Sequence, residues 1–189
     1  MKGALIFLAD GFEDIEALAT RDVLLRGGVP VQLVGIADDP FVVSAHGLAV
    51  GVDCMLGDFD NEPADSSEDI MIFPGGMPGA ANLSGCKKLV SMMDEHYATG
   101  GTLAAICAAP GLVLSKLDKL PEGLEFTCYD GFQSALEERG AKFLAKPAVN
   151  CERIITGRGP GHTKAFALEI LKALKGESVA EKVRQGMEL

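Results

Sequence analysis

The amino-acid sequence predicts an α/β protein with a mostly parallel sheet and helices on both faces. Short apolar runs alternate along the chain with longer amphipathic segments, which is the pattern of successive strand and helix units. The runs, such as ALIFLA at 4–9 and IMIF at 70–73, are apolar throughout, as in strands buried on both faces. The 189 residues contain no internal repeat, linker or change of composition, so we expect one domain over 1–189.

The first helix is predicted over 10–28. Asp10 can cap its N-terminus, and Glu13 stands three residues later, where the partner of a capping box belongs. Gly27 and Gly28 are typical of a helix C-terminus. The helix therefore begins directly after the first strand, at the end of the sheet where ligands bind.

The later elements follow from the same alternation. Strands are predicted at 30–37, 70–73, 102–107, 124–129 and 152–157, and helices at 87–98, 110–117, 132–139, 162–176 and about 177–187. Residues 41–56 predict short strands around His46 and Gly47, which together form a hairpin. The acidic stretch 58–69 lacks the glycine and ligand spacing of a calcium-binding loop, so we expect a solvated connection.

Four segments lie at the carboxyl ends of predicted strands, where open α/β sheets bind their ligands. They are ADGFEDIE at 9–16, PGGMPGA at 74–80, CAAPG at 107–111 and GRGPGH at 157–162. We therefore expect the functional site to be built from these segments.

Cys107 ends a predicted strand and is followed by Ala-Ala-Pro, which is the topology of a nucleophile elbow. The start of a helix offers free N–H groups and a positive dipole end, so we expect a lowered thiol pKa and a place for an oxyanion. An elbow also predicts a positive φ at Cys107. The alternative is a small buried residue at a strand end. Spacing alone does not decide between a nucleophile and a structural cysteine, because the flanking glycines of the full elbow motif are missing.

Two other positions have a functional and a structural interpretation. The Gly76 amide could face a developing negative charge, or PGGMPGA could be only a tight strand-to-helix connection. Glu16 lies beside the apolar stripe of the first helix, and without other information a surface position is the default for a glutamate.

Composition excludes several classes of protein. The formal net charge of −10 argues against binding nucleic acid or an anionic membrane surface. No apolar segment has the length of a signal sequence or a membrane span, so we expect a cytoplasmic protein. Five cysteines at irregular spacing form neither a CxxC pair nor a zinc pattern, so we expect free thiols and neither metal nor cofactor.

Taken together, the motifs resemble the ThiJ/PfpI superfamily, in the branch of the parkinsonism-associated deglycase. GFEDIEA, FPGGMPGA, AAICAAP and GRGPG occur in the order and at the spacing of that family, over nearly the whole chain. The resemblance implies a flavodoxin-like three-layer α/β sandwich, related to the class I glutamine amidotransferase domain. It also implies a homodimer.

The resemblance assigns roles to particular residues. Cys107 matches the reactive cysteine, and Glu16 matches a glutamate that hydrogen-bonds its sulfur, which implies that burial raises the pKa of Glu16. The amides of Gly76 and Ala108 match the oxyanion hole. Gly75, in the same turn as Gly76, is expected at the pocket.

Some residues depart from the family pattern, and these departures argue against some of the family's activities. Ala108 stands where protease-type members have histidine, and GHTKAF does not supply the His-x-Glu of amidotransferases, so neither activity is expected. Cys128 occupies a slot where glyoxalase members often have histidine, although a branch of bacterial relatives also has cysteine there. His162 and His46 are the histidines that could reach the pocket, and His96 is expected on the surface.

We therefore expect Cys107 to attack a small electrophilic carbonyl such as methylglyoxal, or its early adduct on a protein or nucleotide, with Glu16 as the proton shuttle. The alternative is a redox-sensing protein in which Cys107 oxidises to the sulfinic acid. Chaperone-like holding is a third interpretation, for which the sequence has no dedicated feature.

Overall fold

The computed structural model describes residues 3–59 and 70–189, so most of the predicted loop at 58–69 lies outside the described residues. The strands are β1 (Ala4–Leu8), β2 (Val31–Gly35), β3 (Phe41–Val43), β4 (Ala49–Gly51), β5 (Cys54–Met55), β6 (Ile70–Phe73), β7 (Thr102–Ile106), β8 (Glu125–Phe126), β9 (Lys142–Phe143), β10 (Ala148–Cys151) and β11 (Ile154–Gly157). The α-helices are α1 (Asp14–Arg26), α2 (Gly79–Gly85), α3 (Lys87–Ala98), α4 (Ala109–Leu112), α5 (Ser134–Glu137), α6 (Thr163–Lys175) and α7 (Glu177–Gly186).

Seven strands form the main sheet, in the order β10-β11-β7-β6-β1-β2-β5. Every neighbouring pair is parallel except β10 and β11, which run antiparallel at one edge. The prediction of a mostly parallel sheet is therefore confirmed. The hairpin predicted around His46 is also present, as the antiparallel pair β3 and β4.

Apolar side chains fill both faces of this sheet. In β1, Leu5 and Phe7 belong to one core, whereas Ile6 and Leu8 belong to the other. Side chains of α2, α3, α4 and α5 complete the first core, and those of α1, α6 and α7 complete the second. The helix–sheet–helix sandwich follows from these apolar strands, because each must be covered on both sides. Among the described residues, no helix is long and apolar enough to cross a membrane.

The start of α1 differs from the prediction. Glu13, not Asp10, is the N-cap residue, and it makes no capping hydrogen bond with its side chain. Asp10 Oδ1 instead accepts a hydrogen bond from the Val43 N–H at 2.8 Å. The predicted cap was wrong because the β3–β4 hairpin packs against this turn and takes the carboxylate.

The second half of the chain contains more short elements than predicted. The strand expected at 124–129 is only β8, which pairs with the unpredicted β9 outside the main sheet. The helix expected at 110–117 is α4 followed by a 3₁₀ turn at Leu114–Lys116, and the helix at 132–139 is the single turn α5. His96, expected on the surface, is 5% exposed because its ring fills the space above Gly101.

Candidate active site

Cys107 lies on a two-residue turn between β7 and α4. Its φ of 65° is the left-handed conformation that the elbow predicted. Neighbouring segments hold the turn, since the Cys107 N–H donates to the Gly157 carbonyl at 3.0 Å and its carbonyl accepts from the Tyr129 N–H at 2.9 Å. This unfavourable backbone conformation is maintained by its surroundings and presents the partly exposed sulfur at the carboxyl edge of the sheet.

Glu16 is buried against this elbow, so the default of a surface position was wrong. Its side chain is 1% exposed, although it lies in the first turn of α1. Oε2 accepts a hydrogen bond from the Gly75 N–H at 2.7 Å, and the buried Oε1 has no hydrogen-bond partner among the described residues. Burial raises the pKa of Glu16 to about 7, against the lowering effect of the Gly75 N–H and the Cys107 thiol.

The glycine turn after β6 brings the backbone against both of these side chains. A Cβ at Gly75 would lie 2.7 Å from Cys107 Cβ and 2.8 Å from Glu16 Oε2, which is closer than packed atoms approach. Gly76 has a φ of 85°, and a Cβ there would lie 2.4 Å from the Glu13 nitrogen. Gly75 and Gly76 are therefore required at these positions by close approach and, for Gly76, also by conformation.

The thiol does not have the lowered pKa that the helix N-terminus suggested. Burial, followed by the charge of Glu16, raises the pKa of Cys107 to about 12. Hydrogen bonding from the amides of Ala108 and Gly76 opposes this rise, so both amides reach the sulfur. The expectation failed because the dipole argument considered neither desolvation nor a carboxylate beside the sulfur.

Cys107 and Glu16 share one proton over a wide pH range. Because the pKa of Glu16 is about 7 and that of the thiol about 12, the pair keeps a single proton between these values. The thiolate is present in the form in which that proton sits on Glu16. When Glu16 is protonated, its charge no longer opposes the thiolate, and the two amides stabilise it.

Cys128, His46 and His162 were also predicted as possible pocket residues. Cys128 is fully buried in the core that contains Ala108, whereas Cys107 packs against the opposite core. His46 is exposed on the hairpin, with Nδ1 2.6 Å from Asp14 Oδ2, and this contact raises the pKa of the histidine. His162 is also exposed, in the turn before α6. Within the described residues, neither histidine hydrogen-bonds Cys107 or Glu16.

One residue of the site was missed by sequence reasoning. Tyr129 follows Cys128, donates its N–H to the Cys107 carbonyl, and is 50% exposed. The available signal was an aromatic residue at the end of a predicted strand, next to a position already singled out.

These features define an α/β sandwich protein with a cysteine on a nucleophile elbow and a buried glutamate beside its sulfur. The sequence profile described as the DJ-1/PfpI family matches residues 2–173. The chain belongs to the DJ-1/PfpI family.

Curated relatives span the chain at moderate identity. Protein DJ-1 homolog A of Arabidopsis thaliana is 35% identical over 96% of the chain, but the chain spans only 45% of that protein's length. The protein named glutathione-independent glyoxalase DJR-1.2 of Caenorhabditis elegans is 35% identical over 93% of the chain and 90% of its own length. The Parkinson disease protein 7 homolog of Danio rerio is 30% identical over 97% of the chain and 95% of its own length.

Solved structures confirm the fold class. A DJ-1 superfamily protein of Salmonella typhimurium superposes with a TM-score of 0.89 at 28% identity, covering 100% of this chain and 98% of that one. Oxidised Toxoplasma gondii DJ-1 superposes with a TM-score of 0.88 at 28% identity, covering 97% of this chain and 96% of that one.

Proposed function

We propose that the protein converts small reactive carbonyl compounds, such as methylglyoxal, to hydroxy acids through covalent catalysis by Cys107. The observation that carries this proposal is the buried Glu16 beside the sulfur, with a pKa raised to about 7. A carboxyl group with this pKa both accepts and returns a proton at neutral pH, which is what a general acid–base catalyst requires. A relative of similar length is named as a glyoxalase, which also supports the proposal.

The first step forms a bond between Cys107 sulfur and the aldehyde carbon. The thiol proton passes to the Glu16 carboxylate and from there to the aldehyde oxygen, which gives a hemithioacetal. The amides of Gly76 and Ala108 stabilise the negative charge that develops on this oxygen.

The second step moves hydrogen between the two carbons. Glu16, ionised again, takes the hydrogen of the former aldehyde carbon as a proton, and the electron pair forms an enediol. A proton returned to the neighbouring carbon gives a lactate thioester on Cys107. Water cleaves the bond between sulfur and carbon, releases lactate and restores the thiol. One carbon is oxidised and its neighbour reduced, so the reaction of methylglyoxal with water needs no external oxidant or reductant.

Turnover of methylglyoxal to lactate by the purified protein tests this proposal. We expect Cys107→Ser to lower the rate by at least about 100-fold, the order expected for loss of a nucleophile. Cys86→Ser is the matched control, because Cys86 is a partly buried free thiol at the N-cap of α3, where serine is favourable. Equal rates for wild type and Cys107→Ser would rule out the mechanism.

A second candidate function is redox sensing, which the unpartnered Glu16 Oε1 favours. One peroxide converts the Cys107 thiol to a sulfenic acid with release of water, and a second gives the sulfinic acid. Protonated Glu16 could donate a hydrogen bond to a sulfinate oxygen. Mass spectrometry after mild peroxide treatment should show two added oxygen atoms on Cys107. Oxidation spread evenly over the five thiols would contradict this role.

We also propose that the protein is a homodimer, assembled through α1 and the β3–β4 hairpin. Ile15, Phe41, Val43 and Leu48 are large apolar side chains that are 43–59% exposed in the single chain. The Ala45 N–H donates to the Phe12 carbonyl at 2.8 Å, so the hairpin and the start of α1 are held together. Soluble monomers rarely expose an apolar face of this kind. Light scattering should give twice 19.8 kDa for the wild type and 19.8 kDa for Phe41→Asp; a monomeric wild type would contradict the proposal.

A further inference from the structure

We propose that Tyr129 is a specificity-determining residue of the Cys107 site, which contacts the substrate and selects compounds with two adjacent carbonyl groups. This inference rests on the proposed function. Three features of Tyr129 support it: a backbone contact to the elbow, a ring packed on a neighbouring turn, and a phenol group available to a ligand.

The backbone of Tyr129 is tied directly to the nucleophile. Its N–H donates to the Cys107 carbonyl at 2.9 Å, and its own carbonyl accepts from the Phe132 N–H at 3.1 Å. The main chain of Tyr129 therefore lies one hydrogen bond from the elbow. A side chain that starts there is held at the edge of the sheet to which Cys107 belongs.

The ring of Tyr129 packs on Gly159, in the turn that follows β11. A Cβ at Gly159 would lie 3.1 Å from Cδ2 of the ring and 3.7 Å from Cε2. The φ of Gly159 is 168°, an extended conformation that any residue adopts, so the backbone does not require glycine there. The ring accounts for the glycine, because a side chain at this position would push against it.

Part of the Tyr129 side chain is open to solvent. Tyr129 is 50% exposed, and its hydroxyl makes no hydrogen bond with the described residues. The next residue, Asp130, is paired with Arg158 at 2.8 Å, so its carboxylate has its own partner. The phenol O–H is thus a hydrogen-bond donor with no partner among the described residues, on a residue whose backbone contacts the elbow. The histidines at 46 and 162 make no hydrogen bond to Cys107 or Glu16.

A donor of this kind matches the second oxygen of a dicarbonyl substrate. When Cys107 adds to the aldehyde carbon, the amides of Gly76 and Ala108 donate hydrogen bonds to the oxygen on that carbon. The neighbouring ketone oxygen then needs its own donor, most strongly when it gains charge in the enediol step. The Tyr129 hydroxyl supplies this donor, and a substrate with a single carbonyl makes no use of it.

Tyr129→Phe removes the hydroxyl and keeps the ring. We expect kcat for methylglyoxal to fall about tenfold, the size of one hydrogen bond to a developing charge, with KM nearly unchanged. Alkylation of Cys107 by iodoacetamide should keep its rate, because that reaction does not use the hydroxyl. Tyr97→Phe is the matched control, since Tyr97 is the other of the two tyrosines and packs against Arg153 on a different part of the molecule.

Fluorescence provides a readout that is independent of turnover. The chain has no tryptophan and two tyrosines, so in the Tyr97→Phe variant Tyr129 is the sole fluorophore of its kind. Carboxamidomethylation of Cys107 should reduce the quenching of this emission by acrylamide, because the added group covers the ring. The same treatment of a Tyr97→Phe, Cys107→Ser variant should leave quenching unchanged.

The outcomes separate this inference from the proposed function. A Tyr129→Phe variant with wild-type kcat, or quenching that does not respond to modification of Cys107, overturns the inference. A wild type that shows no turnover of methylglyoxal contradicts the glyoxalase reaction, and with it the selection of dicarbonyl compounds. A quenching response in that case would support only the placement of the ring over Cys107.

Discussion

Cys107 and Cys128 lie in adjoining segments, and burial raises the pKa of each thiol to about 12. Their surroundings differ in every other respect. Cys107 is partly exposed, strained at φ 65° and next to a buried carboxyl group, whereas Cys128 is fully buried among apolar neighbours in one of the two cores. A raised thiol pKa is therefore common to both cysteines. What sets Cys107 apart from Cys128 is a buried carboxyl group beside its sulfur, with a pKa of about 7.

The largest expected effect is a difference in chemical reactivity between these two thiols. A pulse of iodoacetamide at pH 8 should alkylate Cys107 at least about 100-fold faster than Cys128, because Cys128 is reached only when the core opens. Peptide mapping by mass spectrometry measures both rates in one sample. Comparable rates would mean that the elbow does not activate its thiol.

The second effect concerns the stability cost of Glu16. Its pKa is about 7 in the folded protein and 4.5 for an unperturbed glutamate, so between these pH values the folded state keeps a proton that the unfolded state has lost. The contribution of Glu16 to stability is therefore greatest below pH 4.5 and falls as pH rises through 7, by about 3 kcal/mol in total.

Glu16→Gln removes this titration and keeps an acceptor for the Gly75 N–H. Relative to wild type, its free energy of unfolding should increase between pH 4.5 and 8.5 by about 3 kcal/mol. Urea denaturation at several pH values measures this. Glu95→Gln, at an exposed position of α3, is the control and should show no such trend; a flat difference for Glu16→Gln would contradict the raised pKa.

The third effect tests the close approach of the glycine turn to the site. Gly75→Ala places a Cβ within 2.7 Å of Cys107 Cβ, so we expect a loss of about 1–3 kcal/mol in unfolding free energy and slower alkylation of Cys107. Gly57→Ala is the control, since a Cβ there meets no atom within 4 Å. Equal stability of the two variants would mean that the turn is not packed against the elbow.

The smallest effect should come from Cys128. Cys128→Ala removes one buried sulfur and should lower the unfolding free energy by about 1 kcal/mol. The alkylation rate of Cys107 and its pH dependence should not change, because the two side chains pack in opposite cores. A shifted pH dependence would show that Cys128 takes part in the proton equilibrium of the site.

The parts of the fold that the sequence predicts are those decided by local pattern. The strands β1, β6, β7 and β11 were predicted from their apolar runs, because a strand buried on both faces is apolar along most of its length. β8 and β9 were not predicted correctly, since their pairing depends on residues 17 positions apart and on too few residues to leave a pattern. The Asp10 cap failed for a similar reason, because Val43 lies 33 residues away.

The same distinction holds for the candidate site: features set by local sequence were predicted, and features set by distant contacts were not. The strand, the cysteine and the small residues after it predict the elbow, and the positive φ of Cys107 is confirmed. The thiol pKa was predicted in the wrong direction, since it depends on burial and on Glu16, which reaches the sulfur only through the packing of α1 on the sheet. Tyr129 was missed because its backbone contact to Cys107 crosses 22 residues of chain, from 107 to 129.

The pH dependence of Cys107 alkylation is the most direct test that Cys107 and Glu16 share one proton. In the wild type, the rate should rise with a midpoint near pH 7 and then stay level. At this pH Cys107 and Glu16 together lose the first of their two protons, and one proton remains between them. In Glu16→Gln, that midpoint should move well above 7, to the pKa of a buried thiol without a carboxyl partner. A wild-type rate that climbs steadily to pH 10 with no midpoint near 7, and matches Glu16→Gln, would contradict the coupling.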